Sequence, residues 1–439
     1  MERLLSGPYR LLDGPGGKIP WYIVPFDKAG RCTGPRTAAE VTARVRSREF
    51  TDVVIFSHGW NNDWVQATDR YGDFIQGYLG QVMERPPGKA PKRALLIGLF
   101  WPSKLLAESV RPAFETTAPA GEDETVAAER DEVAELGDWL ADDAATRFYE
   151  LAQQEYLLDD EAREMAELFL PLLAADDTEV GETTPTHPDD VLAAWATDPD
   201  VRADPMAGPG GPEQATQLEG AGLLRRFDPR EIVRAASVWL MKDRAGVVGT
   251  RGLAPLLEEL AVPDVRVHLV GHSFGAKVVL SGLCAPGTSS TVRSVLLLQP
   301  AVSHLCFASP VPETTRPGGY AAAPERVELP ILSTFSRRDE PLTQWFHHAL
   351  RRGQDVGEME TLREEEGPPN RYAALGGFGP RPLGDRIRLT EVNDPGVPYR
   401  LGADAPQVYG IDASRTIHGH GAISTPSTWW MLSQLIHAD

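Results

Sequence analysis

The stretch Val265-Arg266-Val267-His268-Leu269-Val270-Gly271-His272-Ser273-Phe274-Gly275-Ala276-Lys277-Val278-Val279-Leu280 decides how the rest of the chain is read. A valine-rich apolar run leads into G-x-S-x-G, and a small-residue helical pattern follows without a gap. Strand, sharp turn and helix is the setting in which this motif presents a serine on a strained backbone as a nucleophile. Gly271 and Gly275 suit that setting because side chains there would strike the neighbouring strand or helix. G-x-S-x-G recurs by chance, so it is the flanking strand and helix that carry the reading.

Outward from this stretch the same rhythm continues. Short apolar strands are expected at Trp21–Val24, Val53–Ser57 and Ala94–Phe100, with a helix over Asn62–Met83. After the insertion described next, Pro229–Leu260 reads as helix, broken near Gly246–Gly252. Strands follow at Ser294–Gln299, Leu329–Phe335 and Gln407–Ile411, and a closing helix runs from Pro426 to His437. Thr425 as N-cap with Pro426 at the first helical position marks the start of that helix. Continuous apolar strands alternating with helices predict an α/β fold, a mostly parallel central sheet covered by helices on both faces.

The charge divides the chain in the same way. Its net charge is −20, yet residues 121–200 hold 25 Asp and Glu against three Arg and no Lys. The remainder, with 38 acids and 40 bases, is close to neutral. We therefore read 1–103 and 230–439 as the core, and 104–229 as an acidic helical insertion with a Pro- and Gly-rich loop over 176–217. Within it Val133, Leu136, Leu140, Phe148, Leu151, Leu158, Met165 and Leu168 recur at helical spacing, which predicts two or three amphipathic helices. The acids then form a solvated face or a surface for a protein partner. Duplex nucleic acid is excluded as a partner, because it requires a basic footprint.

No run of eighteen apolar residues occurs, so no transmembrane helix is expected. The start, MERLLSGPYRLLDGPGG, breaks at Gly7-Pro8 before any apolar stretch of signal-peptide length, which leads us to expect a cytoplasmic chain. Cys32, Cys284 and Cys306 are widely spaced and fit free thiols rather than a disulfide framework or a zinc site.

A serine hydroxyl needs an imidazole to take its proton and a carboxylate to orient the imidazole. Asp339 is the expected acid, since it lies just past the strand ending at Phe335, where open α/β sheets bind ligands. It could equally cap the helix that begins near Pro341; Glu340 would point elsewhere, and Asp412 is the rival acid. His420, flanked by Gly419 and Gly421, is the expected base, with His418 as the alternative. His272 reads as structural, and His347 and His348 as packing or solvent-facing. The oxyanion donors expected are the Phe274 amide and one from Gly59 or Trp60 in Phe56-Ser57-His58-Gly59-Trp60-Asn61-Asn62-Asp63. That segment could instead be an ordinary turn capped by Asn61 or Asn62. No metal-binding spacing such as H-E-x-x-H is present.

Taken together, His58-Gly59-Trp60-Asn61-Asn62, Trp101-Pro102-Ser103 and Gly271–Gly275 resemble the α/β-hydrolases, in the bacterial lipase and esterase-like branch that reads H-G-[FW]-N-N, W-P-S and G-H-S-x-G. The matching parts span roughly 20–103 and 230–439. The resemblance implies hydrolysis of a small acyl ester through an acyl-enzyme on Ser273, with Asp339 and His420, and no cofactor or metal. The insertion departs from the pattern, and its position makes it either a cap over the site or a partner-binding surface. An amidase or peptidase would use the same machinery, and an interaction protein could use the scaffold without it.

Overall fold

The computed structural model describes residues 7–60, 62–84, 93–103, 136–137, 140, 142–154, 156–173, 187–188, 227, 229–289, 291–312, 314–345 and 373–438. The expectations placed on 104–135, on nearly all of 176–217, and on His347 and His348 lie outside these residues.

Nine strands form one sheet: β1 Arg10–Gly14, β2 Gly17–Pro25, β3 Asp52–Ser57, β4 Ala94–Phe100, β5 Arg266–His272, β6 Ser294–Leu298, β7 Ile331–Phe335, β8 Ile387–Glu391 and β9 Val408–Asp412. Their spatial order is β1-β2-β4-β3-β5-β6-β7-β9-β8. Every neighbouring pair is parallel except the hairpin β1–β2. The protein is thus α/β with a mostly parallel central sheet, as its apolar runs predict. Two strands were not legible in that way. β1 has no buried residue, with Leu11 open to solvent, and β8 at the far edge buries only Ile387. Edge strands bury one face at most and so lack a continuous apolar run.

Successive side chains of a strand point to opposite faces, and the two cores follow that alternation. Tyr22, Val24, Val53, Ile55, Leu95, Ile97, Val267, Leu269, Val295 and Leu297 pack into one cluster. Trp21, Ile23, Val54, Phe56, Leu96, Val270, Leu296 and Leu298 pack into the other. The second face is covered by α2 Trp64–Glu84 and the closing helix Pro426–His437, through Tyr71, Phe74, Met431 and Leu435. The first face is covered by α1 Pro35–Arg46, by helices that precede β5, and by the helix Phe274–Leu283; the sharp turn at Ser273 between β5 and that helix is the elbow.

Between α2 and the elbow come α3 Asp142–Ala152, α4 Asp159–Leu173, α5 Pro229–Val248 and α6 Ala254–Leu260; the elbow helix is α7. The break expected near Gly246–Gly252 is a π-type turn, Gly249–Leu253, that joins α5 to α6. A Cβ at Gly249 would lie 2.5 Å from the Val278 carbonyl oxygen, so glycine lets this turn press directly onto α7. Two of the expected insertion helices are α3 and α4. Phe148, Leu151, Met165 and Phe169 on their apolar faces are fully buried in the first core, together with Leu240 and Met241 of α5. Arg147 of α3 pairs with both Glu164 carboxylate oxygens of α4 at 2.7 Å.

The short α8 Leu375–Phe378 and the closing helix, α9, complete the chain. Thr425 caps α9 in a reciprocal box with Thr428, with Pro426 in the first turn, as expected from sequence. All three cysteines are free thiols. Among the described residues no helix is long and apolar enough to cross a membrane.

At the amino edge of the sheet a buried polar cluster ties β3, β5 and β6. Asp52 accepts from Thr51 Oγ1 at 2.6 Å, from Arg266 at 2.7 Å and from His268 Nε2 at 3.1 Å. A carboxylate only accepts, so the His268 proton sits on Nε2, and Nδ1 accepts from Ser294 Oγ at 2.8 Å. Burial pushes the Asp52 carboxyl up, but the bonds from His268 and Thr51 and the nearby positive charge outweigh it and leave it below its ordinary value. Asp52→Ala should cost about 3 kcal/mol near pH 7, read from the urea midpoint. A depressed acid stabilises the fold above its ordinary pKa of 3.8 and loses that effect as pH falls through its folded value. The gap between variant and wild type should therefore shrink as pH falls below 3.8.

Candidate active site

Parallel register brings the carboxyl ends of the central strands to one edge. Ser57 pairs with Leu99 and Gly271, His272 with Leu298, and Phe335 with Asp412. The residues that directly follow these strands, His58, Trp101, Ser273 and Gln299, therefore meet along one line, with Asp339 a short turn beyond β7.

Ser273 stands between β5 and α7 with φ 55° and ψ −127°. A residue with a side chain is held in such a conformation only at a cost of about 1–3 kcal/mol, so the surroundings must dictate it. They do so by contact. A Cβ at Gly275 would fall 2.2 Å from the Ser57 carbonyl oxygen, and one at Gly271 would fall 2.6 Å from Ala276 Cα. Glycine at both positions lets α7 start directly against the end of β3. The serine amide donates to Leu298 at 3.1 Å, and its carbonyl accepts from Ala276 at 3.0 Å and Ala301 at 3.2 Å.

His420 Nε2 lies 2.8 Å from Ser273 Oγ, and its Nδ1 lies 2.8 Å from Asp339 Oδ2. The carboxylate accepts, so Nδ1 carries the proton and the Nε2 lone pair faces the serine hydroxyl. Asp339 is fully buried, whereas a quarter of the His420 side chain is exposed. Its Oδ2 also accepts from Gln299 Nε2 at 2.8 Å, and its Oδ1 accepts from the Leu342 amide at 3.1 Å. The two readings of Asp339 are thus compatible: one oxygen caps the turn Pro341–Trp345 and the other holds the imidazole. Gln299 was not found from sequence. It has φ 46°, and its amide is saturated by Asp339, the Gly376 carbonyl and Thr334 Oγ1. A glutamine after a strand carries no signal by itself.

The segment after β3 is fixed from behind. His58 Nε2 accepts from the Trp101 amide at 3.2 Å, so its proton is on Nδ1, which donates to the Gly59 carbonyl at 2.8 Å. Burial pushes the His58 pKa down to about 4, consistent with this neutral tautomer. Asn62 Nδ2 donates to the Gly59 and Trp60 carbonyls at 3.0 and 2.7 Å. Ser103 Oγ accepts from the Asn62 amide and donates to its carbonyl, both at 3.1 Å. His58, Gly59, Trp60 and Asn62 are therefore joined to the W-P-S stretch in one hydrogen-bonded unit, and Asn62 braces the loop instead of capping α2; Asn61, the other cap expected, lies outside the described residues.

In a trans peptide the C=O and the following N–H point in opposite directions. With the Gly59 carbonyl held by His58 and Asn62, the Trp60 N–H faces the other way. A Cβ at Gly59 would lie 2.5 Å from Ser273 Cβ, so this peptide passes directly beside the serine. The Phe274 amide belongs to the first turn of α7, where donors point out of the helix end. Trp60 is partly exposed and stands edge-on to Phe274, ring centroids 6.4 Å apart.

The rival residues lie elsewhere. His418 is exposed and its Nδ1 accepts from Arg338 at 2.8 Å. Asp412 is engaged by the Ser414 amide at 3.0 Å and by the Ser414 hydroxyl, and Glu340 is exposed. His272 is buried and its Nε2 donates to the His420 carbonyl at 2.9 Å, which gives its structural reading a definite object. Burial, then the neighbouring His420 and Arg70, keep its pKa well below the ordinary histidine value, so it stays neutral.

No protein-family model matches the chain, and neither the curated proteins nor the solved structures contain a match to it.

The contact at Gly275 can be measured. Gly275→Ala should lower stability by about 1–3 kcal/mol in urea denaturation, because the obstacle is backbone and cannot rotate away. Gly80→Ala on α2, where a Cβ meets nothing within 4 Å, should instead raise stability by roughly 0.5–1 kcal/mol.

Proposed function

We propose that the chain is a serine hydrolase of the α/β-hydrolase type that cleaves a carboxylic ester through an acyl-enzyme on Ser273. The reading is carried by the unbroken relay from Ser273 Oγ through the His420 ring to Asp339 Oδ2, two hydrogen bonds of 2.8 Å each. Its order along the chain, Ser, Asp, His, is that of the α/β-hydrolases.

In this mechanism His420 Nε2 takes the hydroxyl proton as Ser273 Oγ attacks the acyl carbon. The carbonyl electrons move onto its oxygen, which the Trp60 and Phe274 amides stabilise, with Gly59 leaving room for its approach. Collapse of the tetrahedral adduct expels the alkoxide, which takes the proton back from His420. Water then repeats the sequence on the acyl-serine: His420 removes its proton, the serine oxygen leaves, and His420 reprotonates it. Asp339 keeps the imidazole in one tautomer and stabilises its positive form, and Gln299 and the Leu342 amide hold the carboxylate still. No step calls for a metal or an organic cofactor.

The exposed Trp60 edge against Phe274 offers an aromatic wall to an apolar acyl group. We assign 1–103 and 230–439 to the hydrolase core and 104–229 to an acidic helical insertion, a cap or a partner-binding surface, whose described helices pack with α5. Ser103, where the core segment ends, is hydrogen-bonded into the Gly59 loop, so the insertion departs from beside the serine.

Hydrolysis of p-nitrophenyl butyrate should fall by on the order of 10⁴-fold or more in Ser273→Ala and in His420→Ala, with the urea midpoint little changed. His418→Ala should retain the rate within about twofold. A fluorophosphonate probe should label the wild type at Ser273. Undiminished turnover in Ser273→Ala, or no labelling of the native protein, would overturn the proposal and favour an interaction role for the scaffold.

A further inference from the structure

The oxyanion segment and the base come from distant parts of the chain. The Gly59–Asn62 loop follows β3, while His420 sits in the connection from β9 to α9. For the proposed reaction their separation must be held to a fraction of an ångström. Arg70, half-buried on α2, lies between them. Its Nε donates to Asn62 Oδ1 and its Nη1 donates to the Gly421 carbonyl, both at 3.3 Å. Gly421 leaves the space: a Cβ there would fall 3.1 Å from Nη1. Among the described residues Arg70 forms no salt bridge, so its guanidinium serves these two neutral acceptors.

The chain of bonds is continuous. From the Gly421 carbonyl it runs through Arg70 to the Asn62 side-chain oxygen. The same amide's nitrogen then holds the Gly59 carbonyl, whose peptide carries the Trp60 N–H, and the Trp60 carbonyl beside it. From the other side, His272 Nε2 holds the carbonyl of His420 itself.

We propose that Arg70 is a positioning residue that sets the distance between the oxyanion donors and His420. It touches neither substrate nor serine in this role. It acts through Asn62 on one side and through the residue next to His420 on the other. A planar guanidinium can bridge two acceptors in fixed directions, whereas a lysine ammonium offers a single charged point. The inference rests on the hydrolase reading of the site.

The test uses the full chain with p-nitrophenyl butyrate, after thermal unfolding shows that Arg70→Ala and Arg70→Lys are folded. Both variants should lose about 10- to 100-fold in kcat with KM changed less than about threefold. Guanidinium chloride at non-denaturing concentration should restore part of the kcat of Arg70→Ala, and sodium chloride at equal ionic strength should not. Hydrogen exchange should accelerate in both 58–62 and 416–423 in the alanine variant. An unchanged kcat, full activity in Arg70→Lys, or a kcat loss without faster exchange in these two segments overturns the proposal. If the wild type shows no Ser273-dependent turnover, the hydrolase reading fails instead. The exchange measurement then still decides whether Arg70 ties the two loops.

Discussion

The site depends on one steric constraint: the start of α7 lies so close to the end of β3 that no side chain fits between them. The Cβ that Gly275 lacks would sit 2.2 Å from the Ser57 carbonyl oxygen. That contact leaves the chain no room for an ordinary turn after His272. Ser273 takes a left-handed φ, and its hydroxyl meets the His420 ring. The same closeness places the Gly59 peptide against the serine. One constraint therefore orients the hydroxyl and sets the neighbouring loop beside it.

Around that point the polar groups are arranged so that few buried ones go unanswered. Three imidazoles near the carboxyl edge have their tautomer set by a partner that can only donate or only accept: His58 by the Trp101 amide, His420 by Asp339, and His272 by the His420 carbonyl. Such a network is rigid, because rotating one ring would strand its neighbours in a low-dielectric setting. Two buried atoms beside the turn have no hydrogen bond among the described residues, His272 Nδ1 and Ser57 Oγ. The amino edge of the sheet holds a second polar cluster, in which Asp52, His268 and Ser294 are buried and the partly exposed Arg266 closes the end, and it binds strands together. The two clusters contain similar groups. Their positions at opposite strand ends separate them: the carboxyl edge is where open parallel sheets receive ligands.

The acidic insertion combines two tendencies. Its described helices, α3 and α4, bury Phe148, Leu151, Met165 and Phe169 in the core shared with α5, and their acids lie outward or pair, as Glu164 does with Arg147. Amphipathic spacing in the sequence was enough to anticipate this, because helical period and burial are the same fact seen twice. What the acids face beyond that core is a matter of tertiary arrangement.

By itself the sequence determined the central strands, the elbow, the capped closing helix and the break at Gly246–Gly252. Each of these is written in local pattern: continuous apolar runs, glycines where two backbones touch, and Thr-Pro at a helix start. It also singled out Ser273, Asp339 and His420, through their places after strands. It was silent on β1 and β8, whose exposed faces erase the apolar run, on Gln299 and Arg70, and on what Ser103 of the W-P-S stretch binds. Those three act through partners 40 to 351 positions away, such as Asp339, Asn62 and Gly421. No local pattern encodes such a partner, because only the folded sheet edge brings the two ends of each bond together.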